Sequence, residues 1–221
     1  MSEVNDSKVE DNNHDEYHDP AKWKQIMETT LNNYIHMEKR LQYRQKFSNF
    51  ILTYYSMAII IYTISSKYFQ EHLNTYILEY FGLILSIVIL VHSLINASAN
   101  YANRISRVTE SINTIRKLKR ELTKKEINDS IKEYYAVTEK TELRNDVDFF
   151  RTVRSQCKEV GMVWWHAKLY RESENEAHKR LVNYLSEASP KICCFKIIIG
   201  YIMDFIIFIL PIGVLLYAFG V

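Results

Sequence analysis

Residues 80–98 read YFGLILSIVILVHSLINAS, nineteen positions without an Asp, Glu, Lys or Arg. A helix needs about 20 apolar residues to cross the hydrocarbon core of a bilayer, so this run reads as a membrane span. Two further runs share its character. Residues 47–66, FSNFILTYYSMAIIIYTISS, hold twenty positions without a charge, and residues 197–221 hold twenty-five broken by Asp204 alone. The first two define spans at 47–66 and 78–98, joined as a hairpin, and the last defines a hydrophobic helix at 191–221. Only 5 Gly and 3 Pro occur in 221 residues, so turns are scarce and helices are favoured over strands. The fold class expected is an all-α membrane protein: a two-helix transmembrane hairpin extended by cytoplasmic helical stalks and a bundle, plus a third, C-terminal transmembrane helix.

The 48% hydrophobic and 24% charged residues are segregated along the chain, which matters more than the net charge of +2. Residues 1–20 carry Glu3, Asp6, Glu10, Asp11, Asp15, Glu16 and Asp19 against Lys8 and lack apolar periodicity, the pattern of an acidic disordered tail. The long polar lead before the first apolar run does not resemble a secretory signal. Lys39, Arg40, Arg44 and Lys46 precede the first span. Arg104, Arg107, Arg116, Lys117, Lys119 and Arg120 follow the second, whereas the connector holds only Lys67, Glu71, His72 and Glu79. Basic residues mark cytoplasmic flanks, so both outer ends of the hairpin, and the N-terminus, are expected in the cytoplasm. Lys191 and Lys196 place the start of the third segment on that side too, with Val221 across the membrane. A tail lying along the membrane surface is the competing arrangement.

Asp204 is the weak point of the third span. A carboxylate at mid-bilayer costs about 3 kcal/mol on insertion scales. An interfacial position in the first helical turn, favoured by the helix dipole, and a functional intramembrane acid are both open. Pro211 and Gly213 predict a kink.

Between and around the spans the period is helical. Trp23, Met27, Leu31, Tyr34, Met37 or Glu38, and Leu41 trace one face of a helix over 21–46, with no breaker before the first span. Ile105, Val108, Ile112, Ile115, Leu118 and Leu122 trace another, continuing the second span. Asn128, Asp129 and Ser130 read as a turn and cap ahead of a helix over 131–143. Residues 147–188 read as mostly helical, with Phe149, Phe150, Val153, Trp164, Trp165, Leu169 and Tyr170 as apolar anchors and Gly161 as an interruption. The domain expected is therefore 21–188, with cytoplasmic helices at 21–46 and 99–188.

On the second span, Glu79, Gly82, Ser86, Ser93, Asn96, Asn100 and Asn103 recur at spacings that place them on one narrow face. Hydrocarbon cannot satisfy an asparagine amide, so this face must meet protein or water. Two readings stand. One is a packing seam against the first span, where Ser48, Tyr55, Tyr62 and Ser66 offer partners. Such interhelical hydrogen bonds contribute about 0.6 kcal/mol each. The other is a pore wall built by several copies, since one hairpin cannot enclose water. The candidate pore-lining or helix-packing residues are Ser86, Ser93, Asn96, Asn100 and Asn103. His92, one position off the stripe, reads as a packing residue.

Motifs for chemistry are absent. The chain has no Gly-rich phosphate loop, G-x-S-x-G, C-x-x-C or H-E-x-x-H. No catalytic residue, cofactor or metal site is expected; His14, Asp15, Glu16 and His18 read as a solvated tail. Cys157, Cys193 and Cys194 imply no disulfide framework and suit a reducing compartment. The basic face of the stalks suits solvent or anionic headgroups rather than nucleic acid, because no folded reader of bases accompanies it.

A helix leads into two adjacent spans, then a long helix, then Glu133-Tyr134-Tyr135-Ala136-Val137, then Leu143-Arg144-Asn145-Asp146-Val147-Asp148-Phe149-Phe150. This arrangement resembles the SLATT family of bacterial two-transmembrane effectors associated with nucleotide-signalling and sensor genes. The resemblance runs over about 23–186, with the third apolar segment beyond its two-span core. Asn145 and the pair Asp148-Phe149 fit the family's polar and acidic-aromatic positions. The resemblance implies a membrane effector of a conflict or anti-phage defence system that permeabilises the bacterial inner membrane on a cytoplasmic signal. Its expected partners are membrane lipids, further copies of itself and a soluble sensor or nucleotide-signalling protein. Ser86, Ser93, Asn96 and Asn100 would then face water. The alternative is a non-conducting scaffold that presents its cytoplasmic helices to a soluble partner.

Overall fold

The computed structural model describes residues 19–68, 75–122, 127–142 and 144–218. They form α1 (Pro20–Tyr68), α2 (Thr75–Ala99), α3 (Tyr101–Glu121), α4 (Ile127–Lys140), α5 (Asp146–Glu159), a 3-10 segment (Trp164–Tyr170), α6 (Glu176–Ala188) and α7 (Pro190–Ala218). No strand occurs among the described residues. Three helical stretches, in α1, α2 and α7, are long and apolar enough to cross a membrane. The protein is an all-α membrane protein. Of the acidic tail expected at 1–20, residues 1–18 lie outside the described residues, as do Leu143 and Val221.

The chain divides into two compact units: one of residues up to 39 with 105–189, the other of 40–104 with 190–218. As the unbroken run from Trp23 to Ser66 predicts, α1 is one helix of 49 residues. At 1.5 Å per residue it is about 70 Å long, more than twice the hydrocarbon thickness.

In the first unit the predicted stripes are the core. Trp23, Met27, Leu31, Tyr34 and Met37 of α1 are buried, as are Val108, Ile112, Ile115 and Leu118 of α3 and Leu122 beyond its end. Met37 takes the core position and its neighbour Glu38 accepts a hydrogen bond from Thr109 Oγ1 at 2.6 Å. Lys119 pairs with Glu28. The tyrosine-rich helix α4 docks through Tyr134, whose hydroxyl lies 2.8 Å from Thr30 Oγ1 and whose ring meets Trp23 edge-on at 5.8 Å. The Ser111 and Thr141 hydroxyls, 2.7 Å apart, close the other end of that helix.

Three local expectations are corrected. The second span does not run unbroken into α3: Asn100 has φ 45°, a left-handed conformation that asparagine adopts more readily than most residues, and it separates the two helices. Asn128, Asp129 and Ser130 do not precede α4 but lie inside it, and Ser130 is fully buried. Beyond Gly161, whose φ of 71° ends the turn after α5, the chain winds as a 3-10 segment with non-helical backbone at His166. The tighter winding shifts the register, so Trp165 and Leu169, expected as core anchors, are exposed.

In the second unit the core is Ile51, Tyr55 and Tyr62 of α1, Leu78 and Leu85 of α2, and Ala218 of α7. Phe47, Ile59, Phe81, Ile89, Ile207 and Val214 pack against it. The third apolar helix is therefore part of this unit, entered through Ser189 in the left-handed conformation and Pro190 at the first helical position, where a missing N–H costs nothing. Phe50, Tyr54 and Phe208 stack between α1 and α7, with the last two ring centroids 5.2 Å apart. Long Ile, Leu and Phe side chains such as Ile60, Leu90, Leu94, Phe205 and Ile206 point outward, a surface suited to acyl chains.

Pro211 sits buried inside α7 and has no N–H, so the carbonyl of Ile207, one turn earlier, loses its intrahelical donor. Tyr55 Oη donates to that carbonyl at 2.8 Å. Tyr62 Oη donates to the carbonyl of Pro211 itself. The first-span tyrosines thus serve the proline break in α7. Y55F is expected to destabilise the detergent-solubilised protein by about 1–3 kcal/mol, the cost of an unsatisfied buried acceptor. P211A restores the helical N–H, so Y55F in a P211A background should cost much less. Thermal unfolding of the four proteins reads the coupling, and equal costs in both backgrounds would refute it.

Candidate functional site

The polar face of α2 starts beside the intrachain seam at Glu79 and Ser86 and reaches α1 at Asn96. The seam is Leu78, Phe81, Leu85 and Ile89, at 3- and 4-residue spacing. One position on around the helix, Glu79 and Ser86 are exposed and Gly82 is half-buried; further along, Ser93 and Asn96 are half-buried, and Asn100 and Asn103, past the end of α2, are exposed. Ser86 Oγ turns back onto its own helix, donating to the carbonyls of Leu83 at 2.7 Å and Gly82 at 3.1 Å. A methyl group on Gly82 would meet nothing within 4 Å, so this glycine admits no close helix neighbour within the chain. Among the described residues of this face, Asn96 Nδ2 crosses to the first span, donating to Asn49 Oδ1 at 3.3 Å. Of the proposed first-span partners, Tyr55 and Tyr62 bond α7, and Ser66 bonds the Thr63 carbonyl of its own helix. His92, half-buried, leaves Nδ1 without a partner among the described residues.

Asp204 is half-buried on α7 and accepts a hydrogen bond from Tyr43 Oη at 3.0 Å. Tyr43 belongs to the polar stretch before the first span, so the acid is tied to that end of the hydrophobic run. Tyr43 carries a signal that sequence reasoning missed: a lone aromatic hydroxyl among Arg40, Arg44 and Lys46.

The Asn145–Phe149 turn is built from local rules. Asn145 has φ −85° and ψ 150° and caps α5, its Oδ1 accepting from Val147 N at 3.4 Å. Its carbonyl accepts from the N–H groups of Asp148 and Phe149. Asp146 and Asp148 occupy the first turn, where the helix dipole favours acids. Asp146 is exposed; Asp148 is fully buried. The Arg144 guanidinium lies 3.8 Å from the centroid of the Phe149 ring, and Tyr184 of α6 meets that ring edge-on at 5.8 Å. These side chains lock α5 to α6, which explains the residue types in structural terms.

His36 of α1 lies within electrostatic reach of this helix start. Burial, then the charges of Lys39 and Arg151, hold its pKa below the ordinary 6.5, with Asp148 opposing them. A depressed base pKa means that the folded state resists protonation. The stability this contributes is complete above the unfolded pKa and is lost as pH falls through the folded value. Burial likewise pushes the Cys157 thiol up to about 11, which leaves about one thiolate in ten thousand at neutral pH. His14, Asp15, Glu16 and His18 lie outside the described residues.

A family model described as "SMODS and SLOG-associating 2TM effector domain family 5" (SLATT family 5) matches residues 21–217. The chain belongs to this family. The match continues into the third apolar helix, past the 23–186 over which the sequence resembles the two-span core. No curated protein and no solved structure matches the chain. In this SLATT chain Asn145, Asp148 and Phe149 are, respectively, a helix cap, a buried carboxylate and a packed ring. The membrane unit joins three apolar helices where the family description counts two.

N145A is expected to lower stability by about 1 kcal/mol, the usual worth of an N-cap, in thermal unfolding at neutral pH. The protein should also be less stable at pH 5.5 than at pH 7.5, and H36Q should reduce that difference. An unchanged difference in H36Q would show that other groups carry it.

Proposed function

We propose that this SLATT chain is an effector of a bacterial conflict or anti-phage defence system that assembles into a homo-oligomeric pore in the inner membrane. The observation that carries the reading is the polar face of α2. Ser86 lies outside the apolar seam of a single chain and Ser93 and Asn96 are half-covered, with Asn100 and Asn103 exposed just past the end of α2. Facing acyl chains, asparagine amides would forfeit hydrogen bonds with water at a cost of several kcal/mol each. Association of copies removes that cost, either by pairing the faces or by enclosing water between them. The open space beside Gly82 leaves room for a neighbouring helix at close range.

The basic flanks orient the hairpin with both outer ends, and the N-terminus, in the cytoplasm. The helical unit of residues 105–189 is then the receiver of a cytoplasmic signal, and a change in its packing is the switch. Supporting this role, its helices are joined by polar pairs such as Thr109–Glu38 and Ser111–Thr141, which can exchange partners without exposing a large apolar core.

A second reading is a non-conducting scaffold whose cytoplasmic helices hold a soluble partner. The Asn96–Asn49 hydrogen bond favours it, because it ties part of the polar face to the same chain.

Expression should depolarise the bacterial membrane when the effector is activated. The triple variant S86L/S93L/N96L should insert and accumulate normally yet leave membrane potential intact. Depolarisation that persists in the triple variant rules out the pore reading, and a wild-type protein that never conducts while still recruiting a soluble partner supports the scaffold.

A further inference from the structure

Asp204 is the one carboxylate of the apolar run at 197–221. Among the described residues no ion pair reaches it, and its hydrogen bond comes from the uncharged phenol of Tyr43. A carboxylate at the edge of hydrocarbon with no cation beside it is costly. Arg44, next to Tyr43 on α1, is exposed, makes no ion pair among the described residues, and lies within electrostatic reach of the Tyr43 hydroxyl. An acid and a base thus flank one phenol without pairing with each other. Tyr43 stands about 6 Å along α1 ahead of Phe47, where the first apolar run begins. That is headgroup depth, since headgroups occupy about 5–7 Å on each side of the hydrocarbon.

The surroundings of this acid fit a lipid. Gly200 lies one turn before Asp204 on α7, and a methyl group there would meet nothing within 4 Å, so the approach is open. Tyr201, exposed on the same turn, lies within electrostatic reach of the Tyr43 hydroxyl. One turn past Asp204, into the apolar run, Phe208 stacks on Phe50 of α1 at 6.2 Å and on Tyr54 at 5.2 Å. Tyr43 stacks on Phe47 at 5.9 Å. Phe50 and Phe208 both keep exposed surface, so an apolar strip leads from the polar corner into the span. All of these residues belong to the second unit.

We infer that this corner of α1 and α7 binds a phospholipid whose headgroup ends in a primary ammonium, as in phosphatidylethanolamine. The ammonium sits on the Asp204 carboxylate, the phosphate on Arg44, and an acyl chain along Phe50 and Phe208. An ammonium N–H donates to the carboxylate, and a guanidinium matches phosphate oxygens. Phosphatidylglycerol brings a phosphate without a cation and leaves Asp204 unpaired. Phosphatidylcholine brings a cation that has no N–H to donate. A cation from a second copy would answer Asp204 but leave Arg44 without an anion, whereas one zwitterion answers both. The inference concerns lipid recognition and does not rest on the pore reading.

Native mass spectrometry of the full-length protein in a neutral detergent tests it. The protein is titrated with phosphatidylethanolamine, phosphatidylcholine and phosphatidylglycerol of matched acyl chains, with free phosphoethanolamine as a competitor. A saturable adduct is expected that favours phosphatidylethanolamine over the other two by about tenfold or more, the scale of one charge-assisted hydrogen bond. D204N keeps an oxygen for Tyr43 Oη but loses the charge, so it should hold the wild-type thermal midpoint and bind phosphatidylethanolamine and phosphatidylcholine alike. R44Q, at an exposed position, should weaken the phosphatidylethanolamine adduct by a similar factor. Equal binding of the three lipids by the wild type overturns the proposal, as does a preference for phosphatidylglycerol. Wild-type selectivity in D204N overturns it too. An oligomer that D204N dissociates, in a wild type that does not select phosphatidylethanolamine, overturns it in favour of a cation from a second copy. Displacement by free phosphoethanolamine as effective as by the lipid overturns it in favour of a soluble ligand. Adducts are counted without any conductance, so their absence leaves the pore reading standing.

Discussion

In hydrocarbon a backbone carbonyl has no water to fall back on, and α7 contains one that its own helix cannot serve. Pro211 removes the N–H that Ile207 would have accepted, and Tyr55 Oη replaces it at 2.8 Å. Tyr62 bonds one turn further along, so two hydroxyls of α1 fasten the proline region of α7. The arrangement of the membrane unit follows. α7 must lie where α1 carries tyrosines, and α2 completes the core through Leu78 and Leu85. A proline in a solitary span would leave a polar defect in lipid; here it is the reason three helices share one core.

That core also decides what α2 does with its polar face. Because the seam is claimed by leucine and phenylalanine, Glu79, Gly82 and Ser86 are displaced one position around the helix. Ser86 answers its own need by bonding carbonyls on its helix, and Asn96 borrows Asn49. Asn100 and Asn103 are left exposed by the chain. The membrane unit is held by apolar packing and the tyrosine bonds, not by these polar residues.

The first unit, which holds none of the three candidate spans' apolar stretches, works on a different balance. Its core is two apolar stripes on α1 and α3, and its joints are polar: Thr30 with Tyr134, Thr109 with Glu38, Asn145 capping α5. Around α5 the charges are divided with purpose. Asp148 is buried at the dipole's favourable end, while Arg151, Arg154 and Lys158 open onto a cleft roofed by tryptophan. Asn145, Asp148 and Phe149 thus build the start of a helix whose next two turns carry the basic face.

The sequence alone determined the helical class, the three apolar runs, the continuity of α1 and the stripes that form the soluble core, because helix period and span length are local properties of residue order. Spacing also placed Glu79, Gly82 and Ser86 on one face, whereas the left-handed Asn100 ends that helix before Asn103. Only tertiary structure decided that this face lies outside the seam, that Tyr55 and Tyr62 serve Pro211, that Asp204 meets Tyr43, and that Trp165 is exposed where periodicity put it in the core. Each of these depends on which helix lies opposite, or on a left-handed Asn100 or Gly161 resetting the register, and neither partner choice nor a single backbone reversal is written in the period of an apolar pattern.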